Sequence, residues 1–225
     1  LTSTGTSGNG WAWSAPSTWS SANLAVGDLS DVITTSNSLY VGASSGISST
    51  GNYNTFLGIN SGNANTSGAG NTFLGFNSGG NNVSGQENTF IGHGAGINSS
   101  TGWHNTFIGS NSGYGNTSGS ENTLIGVNTG FGNTTGSYST IIGVNSGFSN
   151  TADYNVFIGY HAGFSNTTGS LNTFIGSNCG KYNVIGAYNA FFGINSGHST
   201  TASNNTCIGI NSGYNNQSGG DNTFL

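Results

Sequence analysis

Cationic side chains are almost absent from this sequence. Lys181 is the only Lys or Arg among 225 residues, and charged residues make up 3% of the chain. Proteins that bind nucleic acids or anionic membranes use clusters of Lys and Arg to neutralise phosphates. We therefore expect no nucleic-acid partner. We also expect no membrane insertion, because no apolar run approaches the ~20 residues that a spanning helix needs.

The chain is rich instead in glycine, with 41 residues, and in one repeated phrase. Asn-Thr-Phe-Leu/Ile-Gly recurs every 16 or 17 residues, for example at 54–58, 71–75 and 88–92. A fixed period of this size is typical of proteins built from stacked structural repeats. Two of the shorter repeats replace a Thr/Ser-Gly pair by Ala152 or Ala202 without shifting the next phrase. The lost residue therefore belongs to a turn, because a slip within a strand would reverse its faces.

The composition of each repeat favours strands and turns over helix. Three glycines per repeat would each cost about 1 kcal/mol inside a helix, whereas Thr, Phe and Ile are strand formers and Asn and Gly suit tight turns. We predict an all-β fold, a parallel β-solenoid or β-roll of about eleven coils of 16–17 residues. Each coil is expected to hold one strong strand and a second short strand.

The repeat divides the chain into two parts. Residues 1–36 do not follow it and are predicted to be a cap or connector, in which Trp11, Trp13 and Trp19 either cover the first coil or stack on a sugar. Residues 37–225 are predicted to be the repeat shaft. Because the sequence stops within a repeat, and a bare end would leave a sheet edge open, we expect the shaft to continue beyond Leu225.

Stacked repeats place equivalent residues in columns. A Phe column runs from Phe56 to Phe224, and a Leu/Ile column runs beside it from Leu57 to Leu225. Adjacent strand residues point to opposite faces, so one apolar column can fill the coil while the other is exposed on a single chain. Exposed apolar stripes usually mark interfaces. We therefore predict a homotrimer, with the chain itself as the main partner.

Polar and aromatic columns are also predicted to stack. One asparagine column is expected to bond amide to amide, as in cross-β ladders: Asn60, Asn77, Asn111, Asn128, Asn145, Asn178, Asn195 and Asn211. A partial aromatic column contains Tyr114, Phe131, Phe148, Phe164 and Tyr214. Cys179 and Cys207 lie in different columns two repeats apart, at least roughly 9 Å along the stack. Since bridged Cα atoms rarely exceed ~7 Å, we predict two free thiols.

One group of titratable residues could hold a cation. Glu87, His104 and Glu121 share the column before the strand in consecutive repeats, and carboxylates with an imidazole are metal ligands. The alternative, which we favour, is a solvated surface column. The other histidines lie in separate columns, and no serine nucleophile has a matching base. We therefore predict no catalytic residue, no cofactor, no metal site and no enzymatic activity.

Two other patterns have a functional and a structural interpretation. Asn65, Asn116, Asn133 and Asn166 begin Asn-x-Ser/Thr triplets in one turn, which permits glycosylation but is better explained by turn preference. A column of threonines could order water, as in an ice-binding solenoid: Thr55, Thr72, Thr89, Thr106, Thr123 and Thr140. Against ice binding, Thr shares its face with Ile or Leu and no second Thr column accompanies it.

The motifs Asn-Thr-Phe-Ile-Gly, Asn-Ser/Ala-Gly and Asn-Thr-Thr-Gly resemble the repeats of bacteriophage and marine-virus tail-fibre proteins over residues 29–225. They are more loosely similar to the heads of trimeric autotransporter adhesins, which are left-handed β-roll trimers. The 17-residue period and the Phe column depart from the adhesin pattern, so handedness stays open. The resemblance implies a rigid trimeric shaft, extracellular on a virion or cell surface, that contributes to host attachment through a glycan or receptor. An ice-binding solenoid is the alternative.

Overall fold

The computed structural model describes residues 32–35 and 37–225, and in these residues it forms one 13-stranded sheet without helices. The predicted capping role of Trp11, Trp13 and Trp19 lies outside the described residues. The strands, in chain order, are β1 Val32–Thr35, β2 Ser38–Val41, β3 Thr55–Leu57, β4 Thr72–Leu74, β5 Thr89–Ile91, β6 Thr106–Ile108, β7 Thr123–Ile125, β8 Thr140–Ile142, β9 Val156–Ile158, β10 Thr173–Ile175, β11 Ala190–Phe192, β12 Thr206–Ile208 and β13 Thr223–Phe224.

The strands stack in sequence order, one for each coil. β1 is antiparallel to β2, and every later neighbour is parallel. Equivalent residues pair directly, as Phe56 does with Phe73. The shorter coil between β8 and β9 keeps this register, since Thr140 pairs with Val156. The predicted parallel β-solenoid of about eleven coils is confirmed, and the one-residue loss lies in a turn.

The prediction of a second short strand in each coil was wrong. In the described coils, the chain after each strand bends through tight turns. In the first full coil, Ser61 donates its backbone N–H to Gly58 and Asn65 donates its own to Gly62. Asn60 and Gly62 also adopt positive φ angles of 57° and 56°. Such left-handed residues break the extended geometry that a strand requires.

The core is a single file of side chains in the middle of the coil. From Phe56 to Phe191 the phenylalanines of the Phe column point inward and are fully buried, and their rings stack along the axis, whereas Phe224 in the last coil is partly buried. The ring centroids of Phe56 and Phe73 lie 4.7 Å apart, and those of Phe73 and Phe90 lie 4.9 Å apart. The Leu/Ile column points outward. The burial pattern therefore decides which of the two apolar faces fills the coil.

Two glycine columns allow the coils to approach this closely. A Cβ at Gly58 would lie 2.4 Å from the carbonyl oxygen of Gly75 in the next coil. A Cβ at Gly62 would lie 2.5 Å from the Phe56 ring, and the φ of Gly62 is +56°. Larger residues at these places would separate the coils or displace the core rings.

A buried asparagine column ties each coil to the next. The Oδ1 of Asn88 accepts the backbone N–H of Asn105 at 2.9 Å, and the Nδ2 of Asn88 donates to the carbonyl of Gly102 at 2.8 Å. The same pattern recurs at Asn71, Asn105 and Asn172. The asparagine that begins most copies of the phrase is therefore a hydrogen-bonding residue of the interior.

Candidate functional site

The column that contains Glu87, His104 and Glu121 lies on the turn before the strand. Glu87, His104 and Glu121 have φ angles of 55°, 56° and 57°, which place their side chains outside the coil. Glu87 Oε2 lies 2.9 Å from His104 Nε2, and the two side chains are 66% and 48% exposed. Glu121 forms no ion pair within the described part of the chain. The structure thus brings together two of these residues.

A surface cleft of about 270 Å³ surrounds this pair, and we call it the Trp103 cleft. Its walls are Ser84, Gln86, Glu87, Thr101, Trp103 and His104. Trp103 is 42% exposed, and its ring meets the His104 ring nearly at a right angle, with centroids 4.6 Å apart. The backbone N–H of Trp103 donates to Ser120 Oγ at 3.1 Å. The cleft therefore combines an aromatic ring with several hydrogen-bonding groups.

Sequence reasoning identified Glu87 and His104 but missed Gln86 and Trp103. These two residues lie in a column where the neighbouring coils have small side chains, such as Ala69, Ser120 and Ser137. Two large residues in adjacent coils of a small-residue column form the walls of a cleft. That local departure from the repeat was the signal that could have located it.

The remaining histidines are distributed along the solenoid. In residues 32–35 and 37–225 no group of three or more His, Cys, Asp or Glu side chains could hold a metal ion. Burial, followed by the charge of Lys181, lowers the pKa values of His161 and His198. A neutral His161 can accept the amide of Asn145, whose Nδ2 lies 3.2 Å from its Nε2. These imidazoles therefore extend the polar and aromatic columns.

The two cysteines are free and buried, as predicted. Burial raises the pKa of Cys179 to about 12 and that of Cys207 to about 11. Cys179 Sγ also donates to the carbonyl of Phe191 at 3.2 Å. Because the thiolate is the reactive form, these residues are suited to packing and not to nucleophilic chemistry.

The predicted outer columns form in part. Asn111 donates to Asn128, which donates to Asn145, at 3.3 and 3.2 Å. In the described coils, Asn60 and Asn77 form no such link, and Gly94 interrupts this column in the coil after Asn77. The aromatic column stacks from Tyr114 through Phe131 and Phe148 to Phe164 at 4.8–5.2 Å. Tyr214 stacks on His198 instead, at 4.5 Å.

The asparagines of the glycosylation triplets are not accessible. The side chains of Asn65, Asn116, Asn133 and Asn166 are fully buried and point into the coil. Asn133 closes its turn by accepting the backbone N–H of Gly136 at 2.7 Å. This arrangement agrees with the turn interpretation of the triplets.

The most extensive exposed feature is the outer face of the sheet. It consists of the Thr column, the Leu/Ile column and the variable column two residues later, and we call it the outer face. Leu57 and Ile208 of the Leu/Ile column are 45% and 46% exposed, and Ile59 and Ile210 of the variable column are 51% and 70% exposed. The outer face contains no Asp, Glu or Lys in the described coils. It is a largely apolar surface along the solenoid, and His93 in the variable column is its titratable residue.

Comparisons with protein-family models, with curated proteins and with solved structures gave no match to this chain. The resemblance to tail-fibre repeats therefore stays a prediction. Among the described residues, no helix has the length and hydropathy needed to traverse a bilayer.

Proposed function

We propose that this protein is a non-enzymatic structural shaft, built from three copies of the chain that pack through the outer face. The supporting observation is that apolar side chains of this face are at least partly exposed in every coil from β2 to β12. A single chain would leave the outer face in water, although soluble monomers rarely expose apolar patches larger than a few hundred Å². In this assembly the shaft is an extracellular appendage of a virion or cell, and it contributes to host attachment.

The size of the outer face suits an interface between chains. Twelve parallel strands at a spacing of ~4.8 Å give a shaft of roughly 50 Å. The outer face is about 13 Å wide between the Thr and the variable columns, so its flat area is roughly 700 Å² per chain. Stable interfaces bury about 800 Å² per partner. The outer face therefore provides most of the area that a specific assembly needs.

The chemistry of the outer face favours a second copy over an unrelated partner. Because the outer face has no Asp, Glu, Lys or Arg in the described coils, and His93 is its titratable residue, identical faces meet with little charge repulsion. The faces also share one spacing between coils, because every chain has the same stack. Parallel copies can therefore repeat one contact along the whole axis, as closed rotational assemblies of identical subunits do.

Sedimentation velocity and native mass spectrometry test this proposal. We expect the wild-type protein to have the mass of three chains. Ile158→Asp puts a charge in the outer face and should give single chains with unchanged far-UV circular dichroism. Thr168→Asp, on an exposed turn of the same coil, is the matched control and should stay trimeric. A wild-type protein that is a single chain at micromolar concentration would refute the shaft.

Ice binding is the second candidate, and one observation favours it. Within the described residues, the hydroxyl groups of the Thr column make no hydrogen bond, whereas Thr66 and Thr117 in another column donate to the next coil at 2.9 Å. The free hydroxyls form a regular row on a flat sheet. A single chain that shows thermal hysteresis, lost in Thr106→Val and Thr123→Val, would support ice binding over the shaft.

A further inference from the structure

We propose that the Trp103 cleft is a binding site for an uncharged saccharide of one or two units. This site would supply the attachment function of the shaft, but the inference does not rest on the number of chains. The cleft lies on the turn before the strand, and its residues belong to two adjacent coils of one chain.

The tryptophan is the first part of the argument. Trp103 occupies a column of small residues, contributes nothing to the core file and is 42% exposed. Among the described residues, no other ring is stacked parallel to its indole, because its aromatic neighbour His104 meets it at 82°. Exposed tryptophans of this kind provide an apolar body beside polar groups. The indole is therefore available to pack against the C–H face of a sugar.

The hydrogen-bonding groups are the second part. Ser84, Gln86 and Thr101 line the cleft, and their side chains make no hydrogen bond within the described residues. Glu87 uses Oε2 in its contact with His104 and keeps Oε1 free as an acceptor. Hydroxyls, a carboxamide and a carboxylate beside an aromatic ring match the donors and acceptors of a sugar.

The charge of the cleft selects against acidic sugars. Glu87 is the anionic member, its contact with His104 occupies the imidazole of the cleft, and Lys181, the only Lys or Arg of the chain, is several coils away. A uronic acid or a sialic acid would therefore meet a carboxylate without a free cation to pair with it, which is unfavourable. The volume of about 270 Å³ is close to the lower end of small-molecule pockets, near 300 Å³, and it limits the ligand to a small saccharide.

The longer aromatic column, from Tyr114 to Phe164, does not offer the same chemistry. In the column from Tyr114 to Phe164 each ring face is covered by the next ring, at 4.8–5.2 Å. A sugar could reach only the ring edges of the interior members of that column. The saccharide site is therefore assigned to the Trp103 cleft and not to the longer aromatic column.

Saturation-transfer NMR with the intact chain tests the site, with maltose, lactose and chitobiose as neutral probes and digalacturonate as the acidic probe. We expect at least one neutral disaccharide to bind at millimolar concentration and digalacturonate not to bind. Trp103→Ala should weaken neutral binding about tenfold. Tyr188→Ala removes another exposed aromatic ring, which lies on a turn outside the outer face, and should leave binding unchanged.

Glu87→Gln provides a second, charge-specific measurement. This variant keeps the shape of the side chain and removes its charge, so discrimination against digalacturonate should fall. Absence of neutral binding by the wild-type protein up to about 20 mM, equal binding in Trp103→Ala, or an equal loss in Tyr188→Ala would each overturn the proposal. Chain mass is measured separately, so failure of the saccharide site and failure of the trimeric shaft are distinguishable.

Discussion

Substitution of Asn105 measures how strongly the buried asparagine column ties one coil to the next. The Oδ1 of Asn105 accepts the backbone N–H of Asn122 at 3.0 Å, and its Nδ2 donates to the carbonyl of Gly119 at 2.8 Å. Asn105, Asn122 and Gly119 are all buried. Replacement by Ala leaves one donor and one acceptor without partners in the interior.

The structure gives the size of the effect. A buried polar group that loses its partner costs about 1–3 kcal/mol, so Asn105→Ala should lower the free energy of unfolding by roughly 2–6 kcal/mol. Ser139 occupies the same column naturally, and its Oγ accepts the backbone N–H of Asn155 at 3.2 Å. Asn105→Ser should restore the acceptor for Asn122 but not the donor to Gly119. It should therefore cost about half as much as Asn105→Ala.

Urea unfolding followed by far-UV circular dichroism at fixed protein concentration is the assay. Ser118→Ala, on an exposed turn of the same coil, is the matched control and should change the free energy of unfolding by less than about 0.5 kcal/mol. The reasoning fails if Ala and Ser at position 105 cost the same, or if Asn105→Ala costs no more than the control. Either result would mean that the buried asparagine column adds little to the strand pairing and the Phe file that also join the coils.

Two further predictions concern the core. Gly113→Ala should lower the free energy of unfolding by roughly 2–4 kcal/mol in the same assay. The φ of Gly113 is +60°, and a Cβ there would lie 2.4 Å from the Phe107 ring. Ser110→Ala is the control, and an equal effect of the two substitutions would contradict this prediction. Native Cys179 and Cys207 should resist iodoacetamide at pH 8 and react after unfolding, as measured by mass spectrometry. Because burial raises both pKa values above the ordinary 9.0, the unfolded chain ionises first, so stability should fall as pH rises above about 9. In the double variant Cys179→Ser/Cys207→Ser, the free energy of unfolding should not change with pH in this range, whereas that of the wild type should fall. An equal fall in the variant and the wild type would contradict the assignment to these thiols.

The period and the strand phrase were sufficient to predict the architecture. A repeat of 16–17 residues with one Thr-Phe-Ile run fixes the strand, its parallel neighbours and the columns, because equal coils must stack in register. The sequence did not decide whether Phe or Ile points inward, since both faces of the strand are apolar. Packing decides it: the Phe56 ring lies directly against Gly62, where a Cβ would come within 2.5 Å.

The candidate site was predictable only in part. Column analysis placed Glu87 and His104 together because the repeat sets their spacing. It did not reveal the cleft, which depends on Gln86 and Trp103 replacing the small residues that other coils have in that column. The repeat pattern predicts the features that all coils share. A site formed by residues that differ from the consensus can be recognised only when the three-dimensional arrangement of the turn is known.

The direct pairing of identical residues from coil to coil has a consequence for how such a chain can change in length. When one complete repeat is inserted or deleted, the coils on either side of the change make the same contacts as before. These contacts are the stacked Phe rings, the hydrogen bonds from Asn to Gly and the close approach of two glycines. Recombination between repeats within a gene can therefore lengthen or shorten the rod in steps of about 5 Å without designing a new contact. The length of the rod is therefore an inherited property that changes by whole repeats.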